Sequence, residues 1–248
     1  MESEIDLNRH TERDFKADNV VCIIPTLNED FTVAEVVKKA KQFTHRVVVV
    51  DGYSEDNTSK MAWNAGAEVI LQDGDGKGMA LRTVFNKIDS DLYVIIDGDA
   101  TYDALEIRKV VQPILDGEAD MVVGSRLKGV MEKGSMSRIN KLGNEFFNFL
   151  INLFYNGKIT DSQSGFRAMN RKTVKILNLS SKGFEVETEM IVKALKRRLI
   201  VKEVPISYTR RRGSPSKLNS FKAGSRILRI ILNYSLERGE YGRQEIEI

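Results

Sequence analysis

Apolar and polar positions alternate along this chain in two rhythms. Short runs rich in valine and isoleucine, at residues 20–24, 46–50, 68–71, 92–96 and 119–123, have the length and composition of buried strands. Between them lie stretches with apolar residues three and four apart, at residues 32–43, 56–65, 78–88 and 104–115. Val33, Val36, Val37 and Ala40 mark the first of these helical patterns. Strands and helices in strict turn predict βαβ units, hence an α/β fold with a mostly parallel, doubly wound sheet. Ligands of such sheets bind outside the carboxyl ends of the strands. Three of the runs end there in polar or constrained residues: Pro25-Thr26-Leu27-Asn28-Glu29, Asp51-Gly52 and Asp97-Gly98-Asp99.

The rhythm changes after Arg126. Residues 128–137 form a loop rich in Gly, Ser and Lys, and residues 139–155 then carry an apolar helical face through Leu142, Phe146, Phe149, Leu150 and Leu153. Phe147, Ile151 and Phe154 widen that face. A short strand is expected at 164–169, a helix at 185–198 and a strand at 199–207. The basic, turn-rich segment from Arg210 to Lys217 precedes an amphipathic helix at 221–236. Both apolar helices pose one question: whether they pack on the core or lie in a membrane interface with their basic residues toward anionic lipid.

Composition narrows the classes. The 248 residues suit one large domain with appendages, and 42% hydrophobic content supports a sizeable core. Lys and Arg total 38 against 35 Asp and Glu, a balance that speaks against a nucleic-acid binder. Cys22 is the single cysteine, so no disulfide framework or cysteine metal site exists, and a reducing, cytoplasmic setting fits. Residues 1–19 read as a flexible polar tail without a signal peptide's pattern. No apolar run has the roughly 20 residues that cross a bilayer, so attachment at a membrane would be peripheral. With histidines only at positions 10 and 45, in the tail and at a strand start, a histidine-based mechanism is not expected.

Asp97-Gly98-Asp99 is the most informative stretch. Carboxylates cannot sit in the middle of a buried strand, so the pair belongs at its mouth, where Gly98 permits close approach to the backbone. On its own the segment fits a turn as well as it fits a site for Mg²⁺ or Mn²⁺ shared with substrate phosphates. Gly74-Asp75-Gly76-Lys77-Gly78, before a helix, resembles a phosphate cradle but is not a P-loop. Residues 210–217 suit either a solvated face or a mobile clamp on a diphosphate. Glu187 and Glu189 open a helix and need be no more than N-terminal charges. Asp97-Gly98-Asp99-Ala100-Thr101 also matches the nucleophile motif of haloacid-dehalogenase-type phosphohydrolases, but there it follows the first strand, and here three β-like runs precede it.

Taken in order, Ile24-Pro25-Thr26-Leu27-Asn28-Glu29, Val49-Val50-Asp51-Gly52-Tyr53-Ser54-Glu55-Asp56-Asn57-Thr58, Gly76-Lys77-Gly78, Asp97-Gly98-Asp99 and Gly124-Ser125-Arg126 resemble glycosyltransferase family 2. Asp161-Ser162-Gln163-Ser164-Gly165-Phe166-Arg167 and residues 211–218 are similar to the branch of dolichol-phosphate mannose synthase and related polyprenyl-phosphate hexosyltransferases. The resemblance implies a GT-A nucleotide-sugar fold over residues 20–220, followed by an amphipathic helix and polar tail over 221–248. It implies inverting transfer of a hexose or N-acetylhexosamine from a UDP- or GDP-linked donor to polyprenyl phosphate, at the cytoplasmic face of a membrane.

The same resemblance assigns roles. Pro25, Leu27, Glu29 and Asp51 would hold the nucleotide. Asp97 and Asp99, with Gly98 between them, would hold the divalent ion and through it the diphosphate. Arg126 would sit near sugar and acceptor, Ser164 to Arg167 would line the acceptor side, and Arg211 or Arg210, with Lys217, would close over the diphosphate. Asp99, Arg126 and Arg211 are the expected catalytic set. A lipid phosphate is already an anion and needs no strong base, in keeping with the lack of a candidate histidine. A family 2 transferase with a soluble or glycan acceptor is the alternative, and would need a base among Asp161, Glu187 and Glu189. Three positions depart from the family pattern: Gly52, where many relatives are acidic; Thr101, which is Gln in some; and the basic loop, one residue longer than usual.

Overall fold

The computed structural model describes residues 19–215 and 220–236. The polar tails (residues 1–18 and 237–248) and Lys217 lie outside that range. In chain order the elements are β1 (Val20–Thr26), α1 (Val33–Ala40), β2 (Arg46–Asp51), α2 (Thr58–Asn64), β3 (Glu68–Leu71), α3 (Lys77–Lys87) and β4 (Leu92–Ile95). A 3₁₀ turn at Ala104–Glu106 leads into α4 (Ile107–Leu115), then β5 (Met121–Ser125), α5 (Arg138–Tyr155), β6 (Arg167–Asn170), α6 (Arg171–Leu177), α7 (Val186–Lys196), β7 (Val201–Pro205) and α8 (Ser220–Leu236).

The strands form one seven-stranded sheet of order β3-β2-β1-β4-β6-β5-β7. All neighbours are parallel except β6, which runs antiparallel to both β4 and β5. Alternation along the strands sorts their side chains to two faces. Cys22, Ile24, Val47, Val49 and Val94 pack with α1 and α4 residues such as Val37 and Val110. Val21, Ile23, Val48, Val50 and Ile95 face α3, α7 and α8 through Leu81, Met190 and Ile231. The result is a three-layer α/β/α domain.

Several boundaries differ from expectation, for identifiable reasons. β1 continues through Pro25 to Thr26, which pairs with Asp51. The N–H that Pro25 lacks would point toward β4, and that ladder has already ended at Ile23 and Ile95. The fifth strand sits two residues later than its apolar run, at Met121–Ser125, because Asp120 and Met121 both donate to the Ile200 carbonyl at the strand's entry. Residues 164–166 are not strand: Ser164 Oγ instead donates to the Gly124 carbonyl at 2.6 Å. The short helix α6 carries no apolar periodicity long enough to announce it.

Helix α5 inverts the usual arrangement. It buries Asn144, Asn148 and Ile151, while Ile139, Leu142, Phe146, Phe149 and Leu153 are each more than half exposed. The buried asparagines, with Asn152, form a ladder along the incoming chain. Asn144 Nδ2 donates to Asp161 Oδ1 (2.6 Å), Asn148 Nδ2 to the Thr160 carbonyl (2.5 Å) and Asn152 Nδ2 to the Ile159 carbonyl (2.9 Å). The C-terminal helix α8 does pack on the domain, through buried Ile227 and Ile231.

Candidate active site

The carboxyl ends of β1, β2, β4 and β5 meet at one edge of the sheet, and a cavity of about 560 Å³ opens over them. Asp97, Gly98 and Asp99 form part of its floor. A Cβ on Gly98 would lie 2.6 Å from Thr26 Cγ2, so only glycine lets β4 end this close to β1. Ala100 then takes a left-handed backbone, with φ 55°, and turns Thr101 back onto the pair. Thr101 donates its N–H (3.1 Å) and hydroxyl (2.7 Å) to Asp99 Oδ1.

Each aspartate is paired with a cation. Lys77, the first residue of α3, places Nζ 2.5 Å from Asp97 Oδ1 and 2.6 Å from Glu187 Oε1. Arg211 bridges Asp99 and Glu29 through its two terminal nitrogens. Burial, then the neighbouring Asp97, pushes the Asp99 carboxyl above its ordinary value, against Thr101 and Arg211. Burial works against the Lys77 charge, but Asp97 and Glu187 outweigh it and hold the ammonium above its ordinary pKa.

The position of Arg211 follows from backbone pairing. Tyr208 bridges to Tyr102, and Thr209 donates its N–H to the Thr101 carbonyl at 2.8 Å, so the basic loop leaves the fold beside the pair. Successive residues of an extended segment point to opposite sides. Arg211 therefore turns to Asp99, while Arg210 turns outward and donates to the Lys133 carbonyl and Glu132. At the far side, Arg126 is held by Asp161 and stacked under Tyr208, whose ring centroid is 5.1 Å from the guanidinium carbon.

Comparison with known proteins places this geometry. The model of "Glycosyl transferase family 2" matches residues 21–177. The chain belongs to this family. Glycosyltransferase AglJ of Haloferax volcanii is 37% identical over 213 residues, covering 84% of this chain and 70% of that protein. A dolichyl-phosphate hexose transferase of the same organism is 30% identical, covering 90% and 97%. Among solved structures, glucosyl-3-phosphoglycerate synthase of Mycobacterium tuberculosis, in complex with Mn²⁺, UDP and glucosyl-3-phosphoglycerate, superposes with TM-score 0.71. It shares 21% identity over 88% of this chain and 80% of that one, a likeness of fold. The fold is the GT-A type that the motifs imply, and the protein is a glycosyltransferase. The phosphohydrolase reading of residues 97–101 does not hold.

Within this transferase, Pro25, Leu27, Glu29, Asp97, Gly98, Asp99, Arg126 and Arg211 all reach the cavity, as expected from the motifs. Four expected residues do not. Arg210 faces away, as described. Asp51 is committed to its own turn, accepting from Ser54 Oγ (2.5 Å) and Ser59 Oγ (2.6 Å), and Gly52 lines the cavity in its place. Ser164 is spent on Gly124. Arg167 is fully buried and donates to the carbonyls of Ser164, Glu187 and Ser162, so it braces this side of the cavity from behind rather than lining it.

Two further residues enter the site. Lys77 stands in a Gly-Lys-Gly motif at a helix start, a local signal that does not name Asp97 and Glu187 as its partners. Glu187, from its sequence position alone, reads as an N-terminal helix charge or as the base of a soluble-acceptor transferase. It is 4% exposed and lines the cavity, and among the described residues its Oε2 has no hydrogen-bond partner.

Proposed function

We propose that this transferase moves a hexose or N-acetylhexosamine from a UDP- or GDP-linked donor to polyprenyl phosphate, with inversion, while resting on the cytoplasmic face of a membrane. The observation that carries this reading is the shape of the cavity. From the aspartate pair it continues into an apolar stretch between α5 and α8, lined by Ile139, Phe147, Phe221 and Ile227, and it opens beside the exposed apolar face of α5. Such a passage suits an isoprenoid chain, with its phosphate directed to Arg126. Among the described residues no helix is long and apolar enough to cross a membrane, so the α5 face is the proposed attachment.

The donor set suits Mg²⁺ or Mn²⁺. Asp97 and Asp99 offer hard oxygen ligands at the cavity floor. Among the described residues no group of three or more His, Cys, Asp or Glu could hold a metal ion alone, so the diphosphate would complete the coordination. When bound, the ion would neutralise charge on the departing nucleotide diphosphate. Arg211 would face that diphosphate from the loop side, and Arg126 would hold the attacking phosphate. No step needs a strong base. Asp161 is locked onto Arg126, and Glu189 accepts from Ser180 and Ser181.

Glu187 favours one second reading: its unpartnered carboxylate oxygen could serve as base toward a soluble or glycan hydroxyl acceptor. The deciding experiment offers a panel of labelled UDP- and GDP-sugars with a polyprenyl phosphate. Label entering the organic phase is expected. Label entering only water-soluble glycan would overturn the lipid reading.

A further inference from the structure

Glu203 stands on the edge strand β7, opposite Val123 of β5. It does not line the cavity, yet its side chain is only 2% exposed. Both carboxylate oxygens are engaged, and their partners come from two segments far apart in sequence. Oε1 accepts the backbone N–H groups of Thr160 (2.9 Å) and Asp161 (3.0 Å). Oε2 accepts the Thr160 hydroxyl (2.7 Å) and lies 2.9 Å from Lys128 Nζ. Hydrogen bonds to an ionised carboxylate are stronger than neutral ones, so this is a firm hold on residues 160 and 161.

The contacts converge on the two groups that flank Arg126. A carboxylate only accepts, so Thr160 spends its hydroxyl hydrogen on Glu203. The 2.9 Å contact between the Ser125 and Thr160 hydroxyls then runs from Ser125 to Thr160, and Ser125 Oγ in turn accepts the Lys128 N–H at 3.2 Å. Ser125 is fully buried and immediately precedes Arg126 in the chain. Asp161 takes the Arg126 backbone N–H and the guanidinium together. Glu203 thus fixes Ser125 through Thr160, and Asp161 through its backbone. Those two residues set where the Arg126 side chain points.

Resting on the reading of Arg126 as the residue that holds the attacking phosphate, we propose that Glu203 is a positioning residue for transfer. It acts through Ser125 and Asp161, keeping the Arg126 guanidinium at one angle to the cavity. Lys128, near the surface, supplies the counter-charge. Loss of Glu203 is therefore felt at one substrate, the one that Arg126 faces.

The test compares Glu203→Ala with Glu203→Gln in the full-length protein, by transfer kinetics and by solvent exchange of the Arg126 Nε–H in heteronuclear NMR. The Arg126 resonance is assigned by its loss in Arg126→Lys. In Glu203→Ala the KM for polyprenyl phosphate should rise about tenfold, with the KM for the sugar nucleotide within about twofold of wild type. The Arg126 Nε–H should exchange faster. Glu203→Gln keeps a carbonyl oxygen for the two backbone N–H groups and an amide to donate to Thr160, and should recover most of both effects. Thr160→Val cuts only the branch to Ser125 and serves if Glu203→Ala does not fold; the same KM should rise about threefold. Arg126 Nε–H exchange that stays unchanged in Glu203→Ala, or in Thr160→Val where that variant serves, overturns the positioning role. Equal rises in KM for both substrates overturn it as well. An acceptor KM unmoved by Arg126→Lys itself overturns the reading of Arg126 as phosphate holder, and the exchange measurement then decides the role of Glu203 on its own.

Discussion

Asp161 holds Arg126 with both carboxylate oxygens at once. Oδ2 accepts the Arg126 backbone N–H at 2.9 Å and Nε at 2.8 Å, and Oδ1 accepts Nη2 at 2.7 Å. Burial would raise this carboxyl, but Arg126 outweighs it and holds it below the usual carboxylate range. Asp161→Asn leaves a buried guanidinium without its counter-charge. A loss of about 3–5 kcal/mol is expected in urea unfolding. Arg126→Lys keeps a charge but loses the fork, and should raise KM for the acceptor with little change in the unfolding midpoint.

Gly165 packs directly against the Asp97 carboxylate. A Cβ there would stand 2.9 Å from Asp97 Cγ, against the carboxylate itself. Gly165→Ala should therefore turn the aspartate off its position. Transfer is expected to fall about 100-fold, since small misplacements at a reacting centre cost that much. Circular dichroism and the unfolding midpoint should stay near wild type; a large drop in stability would show that the glycine serves the fold rather than the site.

The edge where the site lies was legible because apolar runs stopped abruptly at Pro25, Asp51 and Asp97. Arg126 and Arg211 were found through local motifs. What escaped depends on direction and distance. Arg210 and Arg211 are neighbours in sequence, and only the bridge from Tyr208 to Tyr102 decides which one faces Asp99. Arg167 sits in a polar motif that reads as a ligand site, yet three backbone carbonyls absorb its donors. Lys77 and Glu187 meet across 110 positions of chain, and no spacing rule encodes that contact.

Glu189 is a second buried carboxylate, besides Asp161, on which acid stability depends. Despite burial, contacts from Lys193, Ser180 and Ser181 bring its pKa from 4.5 down to about 2. A lowered carboxyl pKa stabilises the fold above the unfolded value and loses that contribution as pH falls through the folded one. Glu189→Gln should cost about 2–3 kcal/mol at pH 7. The gap between variant and wild type should narrow between pH 4.5 and 2, as read from urea midpoints across that range.

The outward side of α5 offers a test that separates attachment from folding. Phe146 and Phe149 are more than half exposed. Phe146→Glu with Phe149→Glu should change stability by no more than about 1 kcal/mol in total. Flotation with anionic vesicles should nevertheless show much less bound protein than wild type. Equal binding would remove α5 from the proposed attachment.

Asp99→Ala and chelation address the ion. Each should abolish sugar transfer, and excess Mg²⁺ or Mn²⁺ should restore chelated wild type but not the variant. Full transfer in strong chelator would discard the metal role of the pair.

The antiparallel strand β6 has a consequence for how such an enzyme can diversify. Because β5 leaves the sheet and β6 re-enters it at the same edge, with the Gly124 N–H donating to the Phe166 carbonyl at 2.9 Å, residues 126–166 are an excursion that departs and returns at one point. Helix α5 and the loop before it can lengthen, shorten or change polarity inside that excursion while every strand keeps its register. The part of the cavity at the ends of β1, β2 and β4 is wired into the order of the sheet, and the part built from residues 126–166 hangs from it as a separate cassette.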